Sequence, residues 1–212
     1  MSQNNLFKTV HVLGLTLLGI SSFFISGLIA CIVILRFDNY ILATIIAGGI
    51  GGFILGLFHW KHRMLGRMTF AGLIAVPIGL LGSFILIEGL VGGFGLLFPS
   101  IAAHFENTGI GDIIAIILMG IMFGVIFGAI VYGRKSIRLF SVVCGAVSIP
   151  FGLLVGAMNS GYWIKVWLES LFEAFGKIDL NLLVIIISFG LGIGLSISLN
   201  NMLQRRNDNN SI

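Results

Sequence analysis

Six long apolar runs, each closed by a short polar break, organise the chain: Val10–Leu35, Ile41–Phe58, Thr69–Ile87, Ile113–Val131, Leu139–Ala157 and Leu182–Leu199. A helix rises about 1.5 Å per residue and needs roughly 20 apolar residues to cross about 30 Å of hydrocarbon. Each run meets or nearly meets that length, so each predicts a membrane-spanning helix. Composition agrees: 58% of residues are hydrophobic, 9% are charged and mean hydropathy is +1.11. A soluble domain carries about 25% charged residues, so this chain lacks the polar surface to stay in water. The 212 residues are read as one all-α, polytopic membrane domain, with no room for a soluble catalytic domain. The first run could pass for a secretory signal, and Leu28-Ile29-Ala30-Cys31 resembles a lipoprotein cleavage box. Its apolar stretch continues through Ile32-Val33-Ile34-Leu35, which a signal h-region does not do. A retained helix is expected.

Glycines inside the runs fall at four-residue spacing, and the spacing recurs. Gly48, Gly52 and Gly56 are echoed by Gly120, Gly124 and Gly128. Gly72-x4-Pro77-x-Gly79-Leu80-Leu81 is echoed by Gly145-x4-Pro150-x-Gly152-Leu153-Leu154. Residues 48–105 thus read as one copy of an in-and-out helical hairpin (spans two and three), and residues 120–175 as a second (spans four and five). Span six carries Gly190, Gly194 and Ser198 at the same spacing, and span one carries Gly14 and Gly19. Spans six and one are therefore candidates for a permuted third hairpin, although span one lacks the proline. In the expected arrangement spans two, four and six cluster together, with one, three and five around them.

Residues four apart share a helix face. In lipid, helices associate through the close backbone approach that small residues permit. The strips at Gly48/52/56, Gly120/124/128 and Gly190/194 are read as helix-packing surfaces, the sharper alternative being that they line a passage. Pro77 and Pro150 are read as tolerated kinks.

Charge then orients the spans. Lys61, Arg63 and Arg67 lie between spans two and three, and Arg134, Lys135 and Arg138 between four and five. Lys8 precedes span one, and Arg205 and Arg206 follow span six. Only Arg36, Lys165 and Lys177 fall on the other side, together with Asp38, Glu88, Glu106, Asp112, Glu169, Glu173 and Asp179. Short loops rich in Lys and Arg stay cytoplasmic, so both termini are expected inside a bacterial-type cytoplasmic membrane. The net charge of +4 is accounted for by topology and by anionic headgroups, and no nucleic-acid partner is expected. Cys31 and Cys144 fall at opposite depths, too far apart for a disulfide, and read as apolar fillers.

Each copy closes with an amphipathic stretch on the outer side. Phe94, Leu97, Phe98, Ile101, Ala102 and Phe105 mark the first, and Ile164, Trp167, Leu168, Leu171, Phe172 and Phe175 the second. Both follow i, i+3, i+4, i+7, i+8, i+11, one face of a helix, and predict helices lying flat at the headgroups. Pro99 weakens the first as one continuous helix, and a start only at Pro99 is the alternative.

Chemistry is sparse. Charges buried in a membrane are costly and usually functional, yet none of the charged residues falls in the middle third of a span. Mid-membrane polarity comes from residues such as Ser22, Ser26, Thr44, Ser83, Ser148 and Ser188. This argues against a proton relay, an ion-coupled carrier with a midplane carboxylate, or a voltage sensor. Gly109-Ile110-Gly111-Asp112 before an apolar helix resembles the Gly-x-Gly-Asp signature of intramembrane aspartyl proteases. That resemblance implies a catalytic Asp112 with a second aspartate sharing its proton. It covers four residues, no second motif accompanies it, and a helix-start role for Asp112, where its charge meets the helix dipole, is the favoured reading. His104, Glu106 and Asp112 could ligate a divalent cation, though without paired i, i+4 spacing.

No cofactor, metal or catalytic site is expected. The favoured reading is a small permease, channel or transport-complex subunit for a neutral or lipophilic solute, since internal repeats are common in transporters. A scaffold or assembly factor, alone, as a homo-oligomer or within a complex, is the alternative, and the protease a second one.

Overall fold

The computed structural model describes residues 3–58, 62–97, 110–159, 166, 170 and 179–209. Among the described residues six long helices stand out: α1 (Gln3–Phe37), α2 (Tyr40–Leu57), α3 (His62–Leu97), α4 (Ile110–Tyr132), α5 (Ile137–Asn159) and α6 (Leu180–Asn209), with a 3-10 turn at Arg134–Ser136. All six are long and apolar enough to cross a membrane, over Val12–Phe37, Tyr40–Leu57, Met64–Gly89, Ile110–Tyr132, Arg134–Asn159 and Leu180–Gln204. The chain is an all-α, multi-pass membrane protein.

Local chemistry sets the helix ends. Asp38 closes α1 with a backbone N–H donated to the Ile34 carbonyl at 2.8 Å, and it adopts φ 47°. That left-handed conformation is one that a short polar side chain tolerates. Asn39 then starts α2, its Oδ1 accepting from the Leu42 N–H at 2.9 Å. Asp179 starts α6 in the same way, accepting from the Leu182 N–H at 3.1 Å. Such caps satisfy donors that the first helical turn leaves unpaired. Between α4 and α5 the chain turns at Gly133, whose φ of 84° and ψ of −177° are open essentially to glycine alone.

The helices form a closed ring in chain order, each packed against the next and α6 closing onto α1. Three antiparallel hairpins (α2–α3, α4–α5 and α6–α1) hold the most extensive contacts. Within each, glycines bring backbones together. A Cβ added at Gly48 or Gly52 would collide with the carbonyl oxygen of Gly72 or Met68, and one at Gly56 would lie 2.9 Å from the Leu65 Cα. In the second hairpin, a Cβ at Gly124 would collide with the Phe140 carbonyl oxygen, and one at Gly120 would meet Ser148 and the Cys144 carbonyl oxygen (2.8 Å). At the α6–α1 seam, Gly190 faces the Gly19 carbonyl and Gly194 the Leu15 carbonyl oxygen at 2.7 Å. Gly128 departs from this pattern by facing the Phe140 side chain (2.9 Å).

Two features differ from the arrangement expected above. The glycine faces of α2, α4 and α6 turn toward α3, α5 and α1, so these helices alternate around the ring instead of clustering at its centre. The reason is steric: a flat glycine face gains most against its adjacent antiparallel neighbour, where backbones can approach along several turns. In addition, α3 runs unbroken to Leu97. Phe94 and Leu97, assigned above to a separate flat helix, belong to the spanning one. Residues 98–105 and most of the second amphipathic stretch lie outside the described residues. Pro77 and Pro150 sit inside helices that continue past them, Pro77 buried and Pro150 exposed.

Candidate functional site

Helix α6 is the most enclosed element, with 78% of its membrane window buried against 39–50% for the other five. Apolar residues surround its whole circumference from Leu182 to Ile187, as a helix covered on all sides requires. Phe189 of α6 meets Phe123 of α4 in a stack with centroids 4.4 Å apart, and Phe23 of α1 meets Phe123 edge-on at 5.9 Å. Phe127 adjoins Phe123 at 5.7 Å, and all four rings are buried. The Cβ position of Gly51 on α2 lies 3.0 Å from the Phe23 ring. Side chains from opposite sides of the ring therefore fill its middle with an apolar aromatic cluster.

Polar groups outside this cluster fall into four settings. Among the described residues no charged side chain is buried. Arg67, Arg134, Lys135 and Arg138 are exposed at one end of the bundle, and Arg36, Asp38 and Glu88 at the other. The side chains of Lys61 and Arg63 lie outside the described set. The mid-span hydroxyls are turned back on their own helices: Ser22, Ser26, Thr44, Ser83, Ser148 and Ser188 each donate to a carbonyl three or four residues earlier, at 2.7–3.0 Å. Such bonding satisfies a hydroxyl without a neighbouring helix.

At the acidic end a short polar chain ties three helices. Asn159 Nδ2 donates to Asp112 Oδ2, and Asn181 Nδ2 donates to Asn159 Oδ1, both at 2.9 Å. Helix α4 begins at Ile110, so Gly111 is already helical and Asp112 lies in the first turn, where its charge meets the helix dipole. The carboxylates of Asp112 and Asp179 are thus engaged in tying and capping helix ends. Gly109, His104 and Glu106 lie outside the described residues, and the His104/Glu106/Asp112 set is described only at Asp112. Cys31 Sγ donates to the Asp179 carbonyl at 3.7 Å, and both cysteines are buried free thiols.

The basic end holds what the sequence reading missed. Ser136, in the turn between α4 and α5, donates to Asn200 Oδ1 at 3.2 Å, both side chains being buried. One turn deeper, Ser196 Oγ sits 3.8 Å from Cys144 Sγ. Thr16 Oγ1, Ser198 Oγ and Asn200 Nδ2 are buried without a partner. The available signal was a polar cluster, Ser196, Ser198, Asn200 and Asn201, at the end of span six. Comparison with protein-family models, curated proteins and solved structures gives no match.

Proposed function

We propose that the protein is a small permease, or the membrane subunit of a transport complex, passing a neutral or lipophilic solute without a catalytic step. The supporting observation is the centre of the ring, where Phe23, Phe123 and Phe189 from three helices close an interior that holds no buried charge among the described residues. Apolar constrictions of this kind gate by excluding water until they part. Transport folds built from repeats commonly place their path where the repeats meet. On this reading the basic loops at 61–67 and 134–138 face the cytoplasm, as do both termini, and the aromatic cluster is the closed state.

Purified protein in liposomes is expected to speed entry of small neutral solutes over empty vesicles, and Phe123→Ala to raise that rate further. Equal rates in empty, wild-type and Phe123→Ala vesicles would overturn the proposal. A second reading, a non-catalytic assembly partner, draws support from the filled centre and from glycine faces already used within the hairpins. Its mark would be one stoichiometric partner co-purifying with a protein that carries no flux.

A further inference from the structure

Polar ties between neighbouring hairpins are unevenly placed. The α4–α5 hairpin is joined to α6 by side chains at three depths. Asn159 Oδ1 accepts from Asn181 at the acidic end (2.9 Å), Cys144 Sγ meets Ser196 Oγ inside the membrane (3.8 Å), and Ser136 donates to Asn200 at the basic end (3.2 Å). The α6–α1 hairpin adds its glycine-to-backbone contacts and the Cys31 thiol on the Asp179 carbonyl. Helices α1, α4, α5 and α6 are thereby joined into one body. In lipid no water replaces a hydrogen bond that sliding would break, so these ties hold the α5–α6 seam in register.

The α2–α3 hairpin lies outside this body and packs on it through α1 and α4. The hydroxyls of Thr44, Thr69 and Ser83 donate to carbonyls of their own helices, so none of the three crosses a seam. The faces that the hairpin presents are small and apolar. On α2, Ala43, Ala47 and Gly51 follow at four-residue spacing, with the Cβ position of Gly51 3.0 Å from the Phe23 ring of α1. On α3, Ala71, Ala75, Gly79 and Gly82 follow i, i+4, i+8, i+11, one helix face, with Gly79 against Phe123 and Gly82 against Met122 of α4. All four alanines are fully buried. One end of the hairpin is fixed. Only Asp38 and Asn39 join α1 to α2, Asn39 caps α2, and Tyr40 stands beside the Asp179 side chain that caps α6.

We propose that the α2–α3 hairpin is a flap that pivots at residues 38–40 and parts from α1 and α4 at the basic end, while the other four helices stay together. Parting withdraws Gly51 from Phe23 and Gly79 from Phe123, the two rings that meet edge-on at the centre. Both rings then face the bilayer through the α1–α2 and α3–α4 seams and are free to turn. The flap deepens the permease reading and rests on it for its role: a solute that enters sideways from lipid is lipophilic, so the flap selects such molecules over polar ones arriving from water.

The test uses full-length protein in detergent and methyl methanethiosulfonate, with modification at each thiol read by peptide mass. The native Cys144, buried in the α5–α6 seam, serves as the reference within the same molecule. A thiol reacts as the thiolate and stays inert in dry apolar surroundings. Ala71→Cys, in the α3–α4 seam, is expected to react about tenfold or more faster than Cys144, and faster than Ala43→Cys, which sits one turn from the pivot. Ser136→Ala is expected to raise the Cys144 rate severalfold and to leave the rate at position 71 unchanged. Equal rates at positions 71 and 144 overturn the flap, and unfolding of the whole chain gives no false support because it labels both alike. Faster reaction at position 43 than at 71 overturns the pivot, and a Cys144 rate indifferent to Ser136→Ala overturns the role of the ties. If Ala71→Cys misfolds by gel filtration, Ala75→Cys reports from the same face. Flux in liposomes is read separately, so a moving flap without flux would count against the permease reading and not against the flap.

Discussion

Gly124→Ala tests whether the hairpins are held by backbone contact. The added Cβ would lie 2.7 Å from the Phe140 carbonyl carbon and 3.0 Å from the Ser141 Cα, where ordinary contact begins at 3.4 Å. These are backbone atoms, so no side chain can swing aside, and α4 must move away from α5 by roughly 0.5–1 Å. A gap of that size forfeits a quarter to a half of the dispersion energy of the contacts it opens, each about 0.1–0.2 kcal/mol. Overpacking in cores costs about 1–3 kcal/mol, while replacing a helical glycine by alanine returns about 1 kcal/mol. The balance is a loss of about 1–2 kcal/mol. For a chain of this length that is a drop of roughly 2–8 °C in Tm, readable as thermal unfolding in detergent or nanodiscs. Gly66→Ala is the control: it sits in α3 with nothing within 4 Å of its Cβ position, so its melting temperature should hold or rise. Gly124→Ala unfolding at or above the wild-type temperature, in step with Gly66→Ala, would refute the argument.

Other consequences follow from the same geometry. Gly133→Ala has open space around it but keeps φ at 84°, and the strained backbone should cost about 1–3 kcal/mol, measured by the same unfolding assay. Asp179→Ala removes the α6 cap and should cost about 0.5–2 kcal/mol, whereas Asp179→Asn should retain most of that stability. Asp112→Asn should fold normally and leave function unchanged if the carboxylate serves the Asn159 tie, and loss of all activity would instead favour the protease reading. Single cysteines replacing Lys61 and Lys135 should be labelled from one side of the membrane, and those replacing Asp38 and Asp112 from the other. Labelling of positions 61 and 135 from opposite sides would sink the hairpin topology.

How much the chain discloses depends on whether a feature is governed by transfer into lipid or by tertiary position. The spans emerge from sequence within a few residues, because crossing hydrocarbon imposes length and apolarity on each segment separately. The helix-start role of Asp112 and the end-placement of charges follow from the same local physics. The continuation of α3 to Leu97 does not: Glu88 and the nearby glycines look like a stop, yet each glycine costs only about 1 kcal/mol in a helix. The buried polar group at Asn200 is hidden for another reason. In the sequence it looks like the wet end of span six. Only the packing of α6 against α1, α5 and the α4–α5 turn converts that end into an interior.

The division of contacts also decides which rearrangements are cheap. Within hairpins, backbone meets backbone: Gly48 against Gly72, Gly124 against Phe140, Gly190 against Gly19. Between hairpins the meetings run largely through side chains. Gly82 on α3 faces the Met122 methyl of α4, Gly192 on α6 faces the Cys144 thiol of α5, and Gly51 on α2 faces the Phe23 ring of α1. The two matched copies differ on this point: Gly79 meets α4 across a seam at 3.3 Å, while Gly152 turns to α4 within its own hairpin at 3.1 Å. Thioether and thiol contacts re-pack with little loss, but a glycine face withdrawn from a carbonyl finds no substitute in lipid. Motion that parts the aromatic cluster therefore costs least if the hairpins move as units and shear along the α1–α2, α3–α4 and α5–α6 seams. Phe123, set beside the α3–α4 seam and stacked on Phe189 of α6, is the ring such a shear displaces first.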